Sequence, residues 1–235
     1  MLTQDNYYRD KEYLSNTMMS YVTKSPNHFK AFMDNTLGEQ TKFSFGTQYH
    51  MAVLEPEKFE RSFVQKPKGL RKGTKEYDML NQMDDRVLLD YSDWELIMNM
   101  RETLYAHYRN MILLPENVIE HIAIWQDDGG ILCKKKMDIW SGDTIIDLKS
   151  TSSSDWVTTA KDVYHYDRQA AFYLEDGKAH DFMFIVQEKS YPYIPVIYEC
   201  TSQFIQQGVC KVMEAKKKYI QYKSESLLID KTVLI

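Results

Sequence analysis

Three stretches in the middle of the chain have the character of β-strands: apolar and polar residues alternate at 117–126, a second stretch covers 131–140, and a third, at 144–150, begins with β-branched residues. Alternation with a period of two residues is typical of β-strands. Turn-forming residues separate the stretches, DDGG at 127–130 and SGD at 141–143. Because such short connections join antiparallel neighbours, the pattern predicts three adjacent antiparallel strands.

Apolar residues at helical spacing predict helices on both sides of this central region. Helices are predicted to begin after Ser15 and Ser25 and to cover about 43–54, 75–89, 92–110, 156–175 and 202–223. Two further strands are predicted at 181–187 and 194–200, a loop at 66–74, and a mobile lead-in up to about residue 12. The layout predicts an α/β fold in which helices cover both faces of a central mixed sheet.

The length of 235 residues favours a single domain. It would comprise a mostly helical part at 1–115, a sheet core at 116–200, and a closing helix and tail at 201–235. The hydrophobic content of 43% is that of an ordinary globule, and no apolar run approaches the ~20 residues of a membrane span. The first residues do not resemble a signal peptide, so we expect a cytoplasmic protein without membrane contact. Three scattered cysteines without CxxC spacing argue against a zinc site, a disulfide framework or an iron–sulfur cluster.

The strand register brings carboxylates together. If Gly142-Asp143 forms a two-residue turn, Asp138 lies opposite Asp147 with Cβ atoms about 5 Å apart, and Lys149 projects from the same face. A turn at 141–142 would instead make the two aspartates diagonal neighbours on one face. A three-residue loop at 128–130 would place Glu120 opposite Asp138, whereas a one-residue slip would point Glu120 away.

Three carboxylates on one face of a sheet repel one another and need compensation. Lys149 supplies one positive charge, and a divalent cation with oxygen ligands would supply two. The alternative is a solvent-facing strand with ordinary charges. Since the residues at 144–146 are too apolar for a freely solvated strand, the pattern favours a metal site held by Glu120, Asp138 and Asp147.

The net charge of −5 does not indicate a nucleic-acid binder, so DNA contact would depend on local basic patches. The loop at 66–75 offers Lys68, Arg71 and Lys72. Lys134 and Lys136 would share the face of Asp138 and contact phosphates beside the metal. Each patch has the alternative of being an ordinary solvated surface.

Several motifs resemble those of a known nuclease superfamily. Asp138 followed by DLK at 147–149 resembles the core of the PD-(D/E)xK nucleases, with Met137 where that pattern often has proline. The segment QAAFY at 169–173 resembles the QxxxY motif of the RecB-type branch. Upstream, GTQYH at 46–50 and LEP at 54–56 resemble phage RecE-type exonucleases, as do the segments around 14–15 and 25–29. The resemblance spans most of the chain and is weakest after Tyr198.

The resemblance implies roles for particular residues. His50 becomes a metal ligand, although a lone histidine on a helix is otherwise more often simply hydrogen-bonded. Leu148 would offer its backbone carbonyl to the metal, and Lys149 would orient or deprotonate the attacking water. Gln169 and Tyr173 would position the DNA strand or the lysine. Near the DNA, Tyr166 lies one turn before this pair, and Gly46 permits close backbone approach.

The resemblance also implies a restriction-endonuclease-like core and an activity: a Mg²⁺-dependent exonuclease, with Mn²⁺ expected to substitute, that degrades linear double-stranded DNA 5′ to 3′. Such enzymes work with a single-strand annealing protein in phage recombination and form homo-oligomeric rings, which predicts a phage or prophage protein in a bacterial cell. Two alternatives remain open: an endonuclease on the same fold, and a non-catalytic DNA- or protein-binding module.

Overall fold

A computed structural model describes residues 2–4, 6–37, 44–153 and 155–224. The first residue of the helix predicted at 43–54, Ser154 before the helix predicted at 156, and the tail predicted after the closing helix lie outside these residues.

Helices and strands occupy most of the described chain. The helices are α1 (Asn16–Lys24), α2 (Pro26–Met33), α3 (Phe45–Leu54), α4 (Pro56–Ser62), α5 (Lys75–Met83), α6 (Tyr91–Ile112), α7 (Trp156–Asp162), α8 (Tyr166–Leu174) and α9 (Ser202–Ser224). The strands are β1 (Phe63–Gln65), β2 (Val87–Leu89), β3 (Val118–Gln126), β4 (Leu132–Ser141), β5 (Thr144–Thr151), β6 (Asp181–Glu188) and β7 (Pro195–Glu199).

The main sheet of the described chain has five strands in the order β3-β4-β5-β6-β7. Neighbouring strands are antiparallel except β5 and β6, which are parallel because α7 and α8 connect them. One hydrophobic cluster packs α1, α2, α8 and α9 against one face, and a second packs α3, α4 and α6 against the other. The predicted α/β class, with a mixed sheet between helices, is therefore confirmed.

The predicted helix starts at the two N-terminal serines are also confirmed. Ser15 Oγ accepts a hydrogen bond from the Met18 N–H at 3.2 Å, and Ser25 Oγ accepts one from the His28 N–H at 3.2 Å. Pro26 occupies the first turn of α2, where its missing N–H costs nothing. The two helices thus begin where side-chain oxygens replace the missing backbone acceptors.

Two predicted helices differ from the structure. The helix predicted at 75–89 stops at Met83, and Val87–Leu89 instead pairs with Phe63–Gln65 as a small parallel sheet. The helix predicted at 156–175 is broken into α7 and α8, with His165 in a left-handed conformation (φ 53°) between them. The break separates the helix that starts at Trp156 from the one that carries Gln169.

The N-terminal segment is a further correction, because its described residues, 2–4 and 6–12, contact the sheet rather than forming a mobile lead-in. Tyr7 is buried, and the Lys134 ammonium donates to the Tyr7 carbonyl at 2.5 Å and to the Asp10 carbonyl at 2.7 Å. Leu14 then bridges to Cys133 of β4. The segment therefore covers part of the sheet beside the strands predicted to carry the site.

Candidate metal centre

The site forms where strands β4 and β5 separate. They pair only from Ile139 to Ser141 and from Thr144 to Ile146. One step further, the Leu148 N–H donates at 2.8 Å to Asp138 Oδ2 instead of to a backbone carbonyl of β4. The Asp138 carboxylate thus takes the place of a ladder acceptor, and the strands open around it.

The predicted register is confirmed on both sides of Asp138. Ser141 pairs with Thr144, so the register that continues past Ile139 and Ile146 sets Asp138 opposite Asp147. On the other strand, the pairs on either side of Glu120 set this residue opposite Asp138. The turns DDGG at 127–130 and SGD at 141–143 thus align the three acidic positions, as their composition predicted.

Next to Asp138, the side chains of β4 no longer alternate regularly between the two faces of the sheet. Met137 packs in the cluster beneath α8, whereas Ile139 packs in the cluster beneath α3 and α6, although alternating residues normally share a face. Glu120 has a positive φ of 54°. The strands are therefore distorted next to Asp138, but Lys136, which pairs with Glu120, still lies close to Asp138.

Three side chains converge at this distortion. His50 Nδ1 on α3 lies 3.3 Å from Asp138 Oδ2. One potential ligand atom from each of His50, Glu120 and Asp138 lies within 4.8 Å of the others. Two carboxylate oxygens and an imidazole nitrogen fit a divalent cation, which would also neutralise the clustered negative charge. The donor set therefore suits a divalent cation, as the sequence predicted.

Asp147 lies beside this group, on strand β5, and its carboxylate contacts two other side chains. Its Oδ1 accepts a hydrogen bond from Gln169 Nε2 at 2.6 Å, and its Oδ2 forms a close ion pair with Lys149 Nζ. Gln169 thus holds Asp147, rather than DNA or the lysine, in this structure. The Leu148 carbonyl points toward β4, since the N–H and C=O of one residue leave an extended strand on the same side.

The two aspartates are electrostatically unequal. Burial raises the pKa of Asp147, and the Asp138 charge raises it further, so that Lys149 only partly offsets the shift. Burial also opposes ionisation of Asp138, but His50, Lys149 and the Leu148 N–H together lower its pKa. The structure therefore stabilises the charge on Asp138 and disfavours the charge on Asp147.

Lys149 is held as a cation. Burial lowers its pKa, but the negative charges of Asp147 and Asp138 outweigh burial and leave the pKa raised. The Lys149 ammonium lies 4.7 Å from the centroid of the half-buried Tyr166 ring. His50 shows a comparable balance: burial lowers its pKa, and the Asp138 carboxylate raises it above the usual range.

The two lysines predicted to contact phosphates differ from that expectation. Lys134 is 2% exposed and bonded to the N-terminal segment, so the prediction that it binds DNA is wrong. Lys136 lies at the site, but its ammonium forms a close ion pair with Glu120. The two residues lie on the neighbouring strands β3 and β4, where Lys136 pairs with Ile122, two residues after Glu120.

Residues that the sequence did not indicate also reach the site. The Gln4 side chain donates to the Glu120 carbonyl. The Tyr8 hydroxyl lies among charges: desolvation by neighbouring groups raises its pKa, Lys136 lowers it, and Glu120 and Asp138 raise it. Tyr173, which the sequence did predict, is buried in the first hydrophobic cluster, and burial, Tyr7 and Asp147 raise its pKa. The only sequence signal was an aromatic pair, Tyr7-Tyr8, within a polar segment.

The remaining predicted DNA contacts stay predictions. Lys68 is exposed, with its ammonium 5.4 Å from the Tyr91 ring centroid, and Arg71 and Lys72 are exposed in the same loop. Gly46 lies in the first turn of α3, where an added Cβ would meet only Ser44 Oγ at 3.8 Å. Among the described helices, none combines the length and apolar character needed to cross a membrane.

A mixed sheet with paired acidic strands, a DLK segment and a metal-suited donor set defines a PD-(D/E)xK-like domain. Residues 15–228 match the model of the PDDEXK-like domain of unknown function (DUF3799), so the chain belongs to this family. The predicted membership of the PD-(D/E)xK superfamily is thereby confirmed.

Two solved structures match the chain to different degrees. The chain is similar to a candidate exonuclease from Eubacterium rectale, with a TM-score of 0.67 and 18% identity over 100% of this chain and 95% of the other. A weaker likeness, to the protein SSO0001, has a TM-score of 0.39 and 11% identity over 87% of this chain and 77% of the other. No curated protein sequence matches the chain. The first likeness agrees with the observed fold.

Proposed function

We propose that this protein is a Mg²⁺-dependent exodeoxyribonuclease that degrades linear double-stranded DNA 5′ to 3′. The observation that carries the proposal is the donor cluster of His50, Glu120 and Asp138, which faces the Asp147–Lys149 pair across the opened strands. Metal ligands suit hydrolysis of a phosphodiester because they hold a cation that polarises the phosphate. A fixed ammonium beside them can stabilise the negative charge that develops.

The residues of the site would have different roles. His50, Glu120 and Asp138 would hold the cation, with Asp147 and the Leu148 carbonyl on the facing strand completing its surroundings. When bound, the cation would polarise the scissile phosphate and lower the pKa of a water. Carboxylate oxygens suit Mg²⁺, and the imidazole makes Mn²⁺ a suitable substitute.

Lys149 would hold the attacking water and stabilise the negative charge that develops on the phosphate. Its raised pKa keeps the ammonium charged near neutral pH, which favours this electrostatic role over that of a general base. Gln169 fixes Asp147, and Tyr166 packs beside the ammonium, so the lysine is preorganised. Gln169 and Tyr173 would thus position other groups and would not take part in the chemical step.

End-dependent cleavage is supported by two likenesses. The segments at 46–50 and 54–56 resemble RecE-type exonucleases, and the structural neighbour from Eubacterium rectale is named as a candidate exonuclease. The RecE-type resemblance extends the proposal to a ring-shaped homo-oligomer that works with a single-strand annealing protein in phage recombination, inside a bacterial cell.

The proposal is tested by incubating purified protein with linear and covalently closed circular duplex DNA, with Mg²⁺ and with EDTA. We expect only the linear DNA to disappear, and EDTA to prevent its loss. Substrates labelled at the 5′ or the 3′ end then report the polarity. Cleavage of the closed circle would identify an endonuclease, and intact DNA in every mixture would contradict nuclease activity.

Lys149→Ala is expected to lower the turnover of linear DNA by about a hundred- to a thousandfold, because the fixed positive charge beside the phosphate is lost. Metal binding should persist, since the three donor residues remain. It is measured as the rise in melting temperature on adding Mn²⁺, which stabilises the folded protein by about 2.7 kcal/mol at 100 times Kd.

The matched control for this prediction is Lys217→Ala, which removes an exposed lysine from α9. It should leave both turnover and the Mn²⁺ effect unchanged. Turnover of Lys149→Ala close to that of the wild type would rule out the role given to Lys149.

A further inference from the structure

A cavity of about 260 Å³ lies between the N-terminal segment and helices α1 and α2. Its aromatic lining comes from Tyr7, Tyr8, Tyr21 and Phe32. The Tyr21 and Phe32 rings are stacked, with centroids 4.7 Å apart and an interplanar angle of 19°. The volume lies below the roughly 300–1,000 Å³ of pockets for drug-sized ligands, so it suits one small planar group.

The cavity combines these rings with a cation and a few polar groups. The Lys11 ammonium lies 3.2 Å from the Phe32 ring centroid and donates to the Phe32 carbonyl at 3.0 Å. Asp10 and Asn35 add hydrogen-bonding groups to the lining. Phe32 is covered by Tyr21 and Lys11, so Tyr8 and Tyr21 are the rings that would stack with a base. Aromatic rings with nearby donors and acceptors are features that bind a nucleobase in single-stranded nucleic acid.

Tyr8 connects the cavity with the metal centre. Its side chain lines the cavity, and its ring centroid lies 5.6 Å from the Lys136 ammonium, which pairs with Glu120. The Tyr8 side chain is 70% exposed and therefore accessible to a substrate. A strand whose phosphate reaches a cation held by Glu120 would therefore bring a neighbouring base to Tyr8.

We propose that this cavity binds the base of an unpaired nucleotide in the DNA strand held at the metal centre, with Tyr8 as a substrate-binding residue. The inference rests on the proposed nuclease function and specifies its substrate: a strand whose nucleotides near the cut are unpaired. Duplexes with a short single-stranded extension on the cleaved strand are then better substrates than blunt duplexes.

Lys134 gives the cavity its fixed shape. Its buried ammonium bonds the carbonyls of Tyr7 and Asp10 and also lies 4.7 Å from the Tyr7 ring centroid. The N-terminal segment is thereby held in place before DNA arrives, which reduces the entropy lost on binding. This role explains why strand β4 contains a buried lysine, Lys134.

The first experiment measures binding without cleavage, by fluorescence anisotropy of a labelled single-stranded oligonucleotide in EDTA. Tyr8→Ala and Tyr21→Ala are expected to weaken binding about tenfold each, as loss of one base-stacking contact does. Tyr191→Ala is the matched control, since Tyr191 is 85% exposed and does not line the cavity. Equal binding by all four proteins would overturn the proposal.

The second experiment asks whether Tyr8 acts on a base of the cleaved strand. Abasic sites are placed one at a time beside the cleaved phosphate, and kcat/KM is measured for wild type and Tyr8→Ala. At one position the base removal and the substitution should each cost about tenfold and together no more than either alone. Additive losses at every position would overturn the proposal.

The two experiments separate this inference from the proposed function. A wild-type protein that degrades no DNA contradicts nuclease activity, while the anisotropy series still decides whether the cavity binds bases. If the wild-type protein cleaves DNA but the losses are additive, the proposed nuclease activity is supported and base binding by the cavity is contradicted. Competition by a free deoxynucleoside monophosphate as strong as that by the oligonucleotide would indicate a product site and would also overturn the proposal.

Discussion

Asp147→Asn is expected to lower the rate of DNA cleavage by on the order of a thousandfold, because the substitution removes a charge that helps to bind the cation opposite Asp138 and to fix Lys149. The asparagine keeps the size and shape of the side chain. Its amide can donate to Gln169 Oε1 after the Gln169 amide rotates by half a turn, and its oxygen can accept from Lys149.

The same variant should fold at least as stably as the wild type in the absence of metal. The raised pKa of Asp147, caused by burial and by Asp138, shows that the folded protein disfavours its charge. Asp138→Asn should do the opposite: its lowered pKa shows that His50 and Lys149 stabilise the charge, so its removal lowers the melting temperature. Both variants should be inactive.

The measurements are initial rates on linear duplex DNA and melting temperatures in EDTA. Asp143→Asn serves as the control, since Asp143 is an exposed turn residue between the same two strands. A clear fall in the melting temperature of metal-free Asp147→Asn would contradict the model of crowded carboxylates. Activity within tenfold of the wild type would remove Asp147 from the catalytic machinery.

The acidic site could be located from the sequence because local turn chemistry determines it. Gly142 adopts a positive φ of 64° in the turn, and the register from Ser141–Thr144 onward places Asp138 opposite Asp147 without help from distant parts of the chain. The distortion at Glu120 could not be predicted. It depends on His50, brought from α3, and on the N-terminal segment, which reaches the Glu120 carbonyl through Gln4.

The predictions that were wrong have a common cause: contacts between residues far apart in the sequence determine the structure at these positions. Val87–Leu89 is a short apolar run whose pattern fits a helix or a strand, and it became a strand because Phe63–Gln65 is available to pair with it. Lys134 resembles any surface lysine in sequence, and contacts with Tyr7 and Asp10, far away in the chain, make its burial favourable. The N-terminal segment is polar enough to suggest disorder, yet a buried ammonium fixes it.

Gly208→Ala is the substitution expected to reduce stability most. Gly208 lies in α9, and a Cβ at this position would stand 1.9 Å from the Asp167 carbonyl oxygen and 2.9 Å from Ala171 Cβ. Because the first contact is with backbone, no side-chain rotation relieves it, and α8 and α9 must move apart. We expect a loss of about 3 kcal/mol in the free energy of unfolding, or roughly 6–12 °C in melting temperature.

Gly46→Ala is a matched control for this prediction, since both substitutions add one methyl group to a helical glycine. At Gly46 the nearest atom to the new Cβ is Ser44 Oγ, at 3.8 Å, so the change should raise stability by about 0.5–1 kcal/mol through helix propensity. Thermal unfolding of the two variants should therefore shift in opposite directions. A melting temperature of Gly208→Ala equal to that of the wild type would contradict the close helix contact.

The effect of Gly208→Ala should extend to catalysis, because α8 carries Gln169 and Tyr173. The close approach of α9 at Gly208 is reinforced by the ion pair between Lys211 and the buried Asp167, at 2.7 Å, and together these contacts press α8 onto the sheet. If α8 moves outward, the hydrogen bond from Gln169 to Asp147 lengthens and Asp147 loses its fixed position. We therefore expect reduced turnover even at temperatures where the variant is fully folded, with the Mn²⁺ effect on melting retained because His50, Glu120 and Asp138 lie on other elements.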